Sequence, residues 1–248
     1  MISWPSRIAA PLILAGFVIL TPGCGDRKPA AEPVEEQPAA IAEPTPGERL
    51  QNAVDVWSAT SAFHFRLALE NRVIPLDAGG LLTYTTAEGD VVTPDRMQAQ
   101  TTVRTPVGNA QVAFISIGDR QWITNPLSRQ WEAAPAGTAG AVASAFDSRT
   151  GIGATLSGLA ELQYTPDERL DGTPVYRLSG ILPGTVLAGF AADLSAVPTL
   201  QVDLFITPAD NRIRRIVVRQ PATPEGAVPS WTFDFSNFDV PVPIEPPL

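Results

Sequence analysis

Cysteine, histidine and lysine each occur once in this 248-residue chain, as Cys24, His64 and Lys28. A single cysteine forms no intrachain disulfide, so stability has to come from a packed core. One histidine and one cysteine also leave no Cys/His nucleophile pair and no zinc set. A Ser-His-Asp triad would need His64, yet no serine stands in a G-x-S-x-G elbow. No glycine-rich phosphate loop is present. Paired carboxylates such as Asp167-Glu168 read as solvated charge in a turn, and no separated pair is singled out for glycosidase-like chemistry. No apolar run reaches the ~20 residues that a membrane-crossing helix requires. These absences point to a protein without catalytic residues, metal or cofactor.

Charge removes another class. The chain has 17 basic and 26 acidic residues and a net charge of −9. Binding to a phosphate backbone is driven by Lys/Arg neutralisation, so nucleic acid is excluded as a partner.

What is there begins with the N-terminus. Arg7 precedes an apolar run of 13 residues, Ile8 to Leu20, which ends at Leu20-Thr21-Pro22-Gly23-Cys24. Too short to span a bilayer, the run reads as the core of a secretory signal. The lone cysteine, directly after a small residue at the end of that run, resembles the site where bacterial lipoproteins are cleaved and acylated. Thr21 and Leu20 depart by one place from the usual leucine position. An ordinary secretory signal with a chance cysteine, or a short membrane anchor, is the plainer reading of the same residues. Removing residues 1–23 takes away Arg7 and no acid, so the net charge moves from −9 to −10.

Gly25 to Pro46 holds five acids, five prolines and no aromatic residue. Such a segment cannot bury enough apolar surface to fold. Stretched toward polyproline II at ~3.1 Å per residue it reaches ~70 Å, the length of a tether. The expected organisation is therefore a signal over 1–23, a lipidated Cys24 with a tether to residue 46, and one domain over 47–248.

Within that domain Leu50, Ala53, Val54 and Trp57 fall at helical spacing over Glu48–Ala59, with Thr45 and Glu48 as a capping box. Then Phe63, Phe65, Leu67 and Leu69 alternate with His64, Arg66, Ala68 and Glu70, one face buried and one wet. His64 reads as a residue of the outer face. Strand patterns continue at Gly79–Ala87, Arg96–Thr105, Gly108–Ile117 and Gln121–Thr124. Trp122 and Trp131, on either side of the Asn125-Pro126 turn, read as core. Alternation stops over Gly137–Leu159 and again over Thr185–Ala196, two small-residue segments that read as helices. Strands resume at Glu161–Thr165, Val175–Ser179, Leu200–Thr207, Arg212–Arg219 and Ser230–Asn237. The element order predicts an α+β fold, one large curved antiparallel sheet with helices gathered on one face.

Two features invite a functional reading. Arg212, Arg214, Arg215 and Arg219 share one strand, suited either to an anionic head group or to keeping an edge or outward face soluble. The helical segments, with Val142, Phe146, Leu156, Leu159, Leu187, Phe190 and Leu194, can lie across the concave face. A sheet wall of Phe65, Leu67, Leu69, Val112 and Phe114 would then enclose space. An ordinary filled core uses the same residues.

As a whole the chain resembles the LppX/LprG type of mycobacterial lipoprotein, a relative of the LolA/LolB and RseB half-barrels. The resemblance is carried by the Cys24 anchor and acidic linker, the Glu48–Ala59 helix and the strand opening Phe63-His64-Phe65. Late in the chain it rests on Leu200–Ile206, the Asp210-Asn211-Arg212 turn, Ile213–Arg219 and the ending Phe235 to Pro247. Phe205 stands where the family strand often has tryptophan. The resemblance implies an unclosed β half-barrel with helices over its mouth and acyl chains held between them. It implies a monomer that binds and transfers a lipid or glycolipid outside the cytoplasmic membrane without catalysis. A membrane transporter or regulatory protein is the implied partner. Two other readings stay open: an envelope sensor or assembly factor of the RseB kind, and a hydrolase with separated carboxylates.

Overall fold

Residues 43–75, 81–105, 108–134, 146, 151–187 and 192–247 are described by the structure, a computed structural model. The first 42 residues, and with them Cys24 and most of the tether, lie outside the described residues, as do Val142 and Phe190.

Helix α1, Pro46–Ala59, starts two residues before the expected Glu48. Its first turn is set by Thr45, whose Oγ1 accepts from Glu48 N at 3.2 Å while Thr45 N donates to Glu48 Oε2 at 2.7 Å. These bonds from Thr45 hold the Glu48 carboxyl below its ordinary pKa. Proline at the first helical position costs nothing there, because that N–H has no partner within the helix. The buried face is Leu50, Ala53, Val54 and Trp57.

The strands are β1 (Ala62–Glu70), β2 (Ile74–Pro75), β3 (Thr83–Val92), β4 (Arg96–Thr105), β5 (Gly108–Ile117), β6 (Arg120–Thr124), β7 (Trp131–Ala133), β8 (Ala160–Leu170), β9 (Thr173–Leu182), β10 (Leu200–Ile206), β11 (Ile213–Arg219) and β12 (Ser230–Ser236). They form one sheet in the order β7-β6-β5-β4-β3-β1-β12-β11-β10-β9-β8, with β2 beside β3. Every pairing is antiparallel. The first long strand and the last are neighbours, with Phe65 opposite Phe235 and Leu67 opposite Phe233. The two ends of the sheet are therefore β7 and β8, which are consecutive in sequence. Residues 134–159 have to carry the chain from one end of the curved sheet to the other.

Alternation along β1 separates two faces. Phe63, Phe65 and Leu69 are buried on the inner side. On the outer side His64 Nδ1 lies 2.9 Å from Asp90 Oδ1, and Asp90 Oδ2 accepts from Gln98 Nε2 at 2.9 Å. One row along, Arg66 Nε donates to Glu88 at 3.3 Å and Gln100 Nε2 donates to the same carboxylate at 2.7 Å. This ladder explains a misplaced boundary. The polar Glu88-Gly89-Asp90 suggested that the strand ended at Ala87, but β3 continues to Val92 because its acids belong to the outer face. Gly89 is required on the inner side: a Cβ there would stand 2.1 Å from Gln98 O and 2.9 Å from Ala99 Cβ.

Other expectations change as well. Asp167-Glu168 is not in a turn. It lies within β8, past Pro166 at a register shift, and Glu168 pairs with Arg177 at 3.0 Å. The turn comes later, at Asp171-Gly172, both with positive φ (50° and 82°). Of the short helices expected over residues 137–159, one is seen among the described residues, α2 (Ile152–Leu156). Where the helix Thr185–Ala196 is expected, the described residues form two 3₁₀ turns, Gly184–Leu187 and Ala192–Ala196. Trp122 and Trp131 are half-buried, and Trp122 carries the Arg120 guanidinium 5.5 Å above its ring. Their register with Ile115 and Thr124 sets them on the outer face, since Ile123 takes the inner one.

Replacing Gly89 by valine should force β3 and β4 apart. The expected loss is about 1–3 kcal/mol of unfolding free energy, read from a urea titration. An unchanged midpoint would mean that the strands do not approach as closely as described.

Candidate functional site

The sheet curls around an apolar cavity of about 240 Å³. Its sheet wall includes Phe65 and Leu67 of β1, Val112 and Phe114 of β5, and Trp231 and Phe233 of β12. The opposite wall comes from segments that cross the concave side: Phe146, Ile152 and Leu156, then Leu187 and Leu194. Polar groups are few. Tyr84, Thr101 and Thr155 reach the lining. Burial raises the Tyr84 phenol above its ordinary pKa, and the nearby Arg72 charge opposes that rise.

Of the residues named from the sequence, Phe65, Leu67, Val112, Phe114, Phe146, Leu156, Leu187 and Leu194 line this space together. Leu69 and Leu159 are buried but off the cavity wall. Leu69 sits opposite Trp231, whose ring takes the lining position, and Leu159 fills the space over Gly180. A Cβ on Gly180 would stand 3.1 Å from Leu159 Cδ2. Sequence reasoning passed over Ile216, Val218, Trp231 and Phe233, which also line the cavity. Their alternation marks them as one face of a strand. Knowing that this face meets Leu67 requires the β1–β12 register.

One end of the cavity is closed. The Trp57 ring centroid lies 4.9 Å from that of Phe63 and 4.8 Å from that of Phe235, and the Phe146 ring packs tilted against Phe65 with centroids 4.7 Å apart. Such ring pairs contribute roughly 0.5–1.5 kcal/mol each beyond their buried area. Just outside this cluster the chain after β12 is clasped to the start of β1. Asp239 N donates to Ala62 O at 2.8 Å, and the Asp239 carboxylate accepts from Ser61 N at 2.9 Å and Arg212 Nη2 at 2.7 Å. The Ser61 backbone bond, followed by the Arg212 contact, holds the Asp239 carboxyl below its ordinary pKa.

The arginine cluster faces elsewhere. β11 is an interior strand, not an edge. Arg215 and Arg219 pair on the outer face with Asp234 and Asp203, and Arg212 pairs with Asp239. A second hollow, about 440 Å³, lies on that outer side between β1, β12 and the β8–β9 turn. Although larger, it is lined by His64, Arg66, Asp171, Arg214 and Asp234, a surface suited to water. An aliphatic ligand belongs in the smaller, apolar cavity. Among the described residues no group of three His, Cys, Asp or Glu side chains converges as on a metal ion, and no helix is long and apolar enough to cross a membrane.

An unclosed antiparallel half-barrel folded around an apolar interior is the class of protein that these elements define. The chain belongs to the LppX_LprAFG lipoprotein family, whose model matches residues 45–244. The solved structure of LprF from Mycobacterium bovis superposes with a TM-score of 0.64 at 15% identity, covering 82% of this chain and 96% of that one. LppX from Mycobacterium tuberculosis gives a TM-score of 0.59 at 18% identity, over 82% of this chain and 100% of its own. At these identities the likeness is one of fold. No curated protein matches the sequence.

The Asp239 clasp yields a pH dependence with a defined sign. Its carboxyl has a lowered pKa when folded, so its stabilisation is full above the unfolded value, near pH 3.9, and fades as pH falls through the folded one. Asp239→Asn should lower the urea midpoint at pH 7, and the gap from the parent should shrink steadily below about pH 4. A gap that stays constant to pH 2.5 would remove the clasp from the account.

Proposed function

We propose that the protein is a membrane-anchored, non-catalytic carrier of lipid or glycolipid outside the cytoplasmic membrane. Residues 1–23 act as the signal, Cys24 is acylated, the segment to residue 46 is the tether, and the domain over 47–248 holds the acyl chain. The observation that carries this reading is the apolar cavity between the sheet and the segments laid across it, closed at one end by aromatic rings.

Energetics explain why a cavity is needed. Each CH₂ returned to water costs ~0.8 kcal/mol, so two chains of ~16 carbons need roughly 25 kcal/mol of cover in transit. The cavity, about 240 Å³, exceeds the ~150 Å³ of an apolar cavity that stays dry and takes up benzene. It seats part of one acyl chain, and a two-chain ligand has to widen it. Membership of a lipoprotein family supports the anchor at Cys24 and the extracytoplasmic location.

Uptake of cis-parinaric acid, whose fluorescence rises in an apolar site, tests the reading on a chain carrying Cys24→Ser. Ala87 lines the cavity at mid-height opposite Leu67, so Ala87→Trp places an indole in the space. Uptake should be clear in the parent and weaker by about tenfold or more in the variant. The accompanying stability loss should stay within the ~1–3 kcal/mol of an overpacked site. No uptake by the parent, or equal uptake by both, would sink the carrier.

A further inference from the structure

The cavity has a direction, and the surface at its far end has a composition to match. Cross-strand register places Glu70, Ser230, Arg219, Gln201 and Ile181 in one row across β1, β12, β11, β10 and β9. This row marks the upper end of the half-barrel. The ring cluster of Trp57, Phe63 and Phe235 and the Asp239 clasp close the lower end. The cavity runs away from them to Ile74, Pro75, Tyr84, Leu182 and Trp231 near the upper row.

Six large aliphatic side chains are exposed among the described residues, and four of them border this upper end. Val73 (49% exposed) follows the top of β1, and Leu81 (66%) precedes β3. Val186 (44%) follows β9 beside cavity-lining Leu187, and Val228 (37%) precedes β12. Asn71 Nδ2 donates to Val228 O at 3.0 Å, tying two of these segments together. Single exposed aliphatics need no explanation, but a set gathered where the cavity leads does.

We propose that this rim seats on a lipid bilayer, so that an acyl chain slides between membrane and cavity without crossing water. The inference rests on the carrier reading above and adds the face, the partner and the orientation. A bilayer fits better than a protein groove because the rim continues the cavity's own lining, and the occupant of that cavity comes from a membrane. The tether permits it. The chain enters at the lower end, where Arg49 of α1 stacks 5.3 Å from Tyr176, a residue opposite Ile206 at the bottom of β10. Residues 25–42 can reach ~55 Å when extended, against ~30 Å for the nine-residue β1. The rim can therefore turn toward the membrane that holds the anchor.

Cys24→Ser leaves a chain without cysteine, so one label site can be added at a time. Val73→Cys and Val228→Cys probe the rim. Val240→Cys is the control, an equally exposed valine beyond the Asp239 clasp (50%). Each is labelled with an environment-sensitive nitrobenzoxadiazole dye and mixed with phosphatidylcholine/phosphatidylglycerol vesicles. Emission at 73 and 228 should rise about twofold or more and shift blue, as for a group moved into an interface, while 240 stays unchanged. Equal response at all three positions, or none at the rim, overturns the proposal. So does a rim response that needs only higher protein concentration, which would assign the face to a second copy. Parinaric acid uptake, measured on the same samples, separates the two ideas. Uptake without a rim response removes the docking face alone, and absent uptake removes the carrier.

Discussion

Pairing of the first long strand with the last organises this molecule. Because β1 lies beside β12, the middle of the sequence is pushed to the rims of the sheet, and β7 and β8 become its two ends. Of the chain between them, Phe146, Ile152 and Leu156 lie on the concave side and line the cavity. The same pairing sets Leu67 opposite Phe233, so part of the cavity wall is built from residues 166 positions apart. A sheet made this way depends on non-local contacts, and its hollow is a consequence of topology rather than of any local motif.

Chemistry on the two faces follows from that arrangement. Outside, charges are neutralised in place, Arg66 by Glu88, Arg215 by Asp234 and Arg219 by Asp203, and the His64 ring lies within hydrogen-bond distance of Asp90. An exposed pair such as Arg66–Glu88 adds little stability, commonly under about 1 kcal/mol, while Asp203 is buried beneath Arg219. The role of these charges is to keep a broad strand surface soluble in a protein with one lysine. Inside, the lining is aliphatic and aromatic, with small residues such as Ala87 and Ala99 where larger ones would fill the space. Closure at the lower end by Trp57, Phe63 and Phe235 gives the hollow a floor.

Much of this could be read from the residues because alternation is a local signal. The run Phe63 to Glu70 announces a two-faced strand, and Thr45 with Glu48 announces a helix start, since each pattern is complete within a few positions. What escaped is what depends on a distant neighbour. β3 runs past Glu88-Gly89-Asp90 because β4 approaches the glycine and supplies partners for the acids. Trp122 resembles core until its register with Ile115 turns it outward. Leu69 and Leu159 belong to the right faces, yet Trp231 and Gly180 decide that neither reaches the cavity. For Trp231 and Phe233 the face was legible and its opposite number was not.

The central claim is that the hollow carries an acyl lipid. Extracting the Cys24→Ser protein after purification from its native envelope, and weighing what comes off by mass spectrometry, addresses it directly. The account predicts a lipid with at least one long acyl chain, in amounts approaching one per protein and reduced by Ala87→Trp. Protein that emerges free of lipid, and stays so when offered acyl chains, would contradict it.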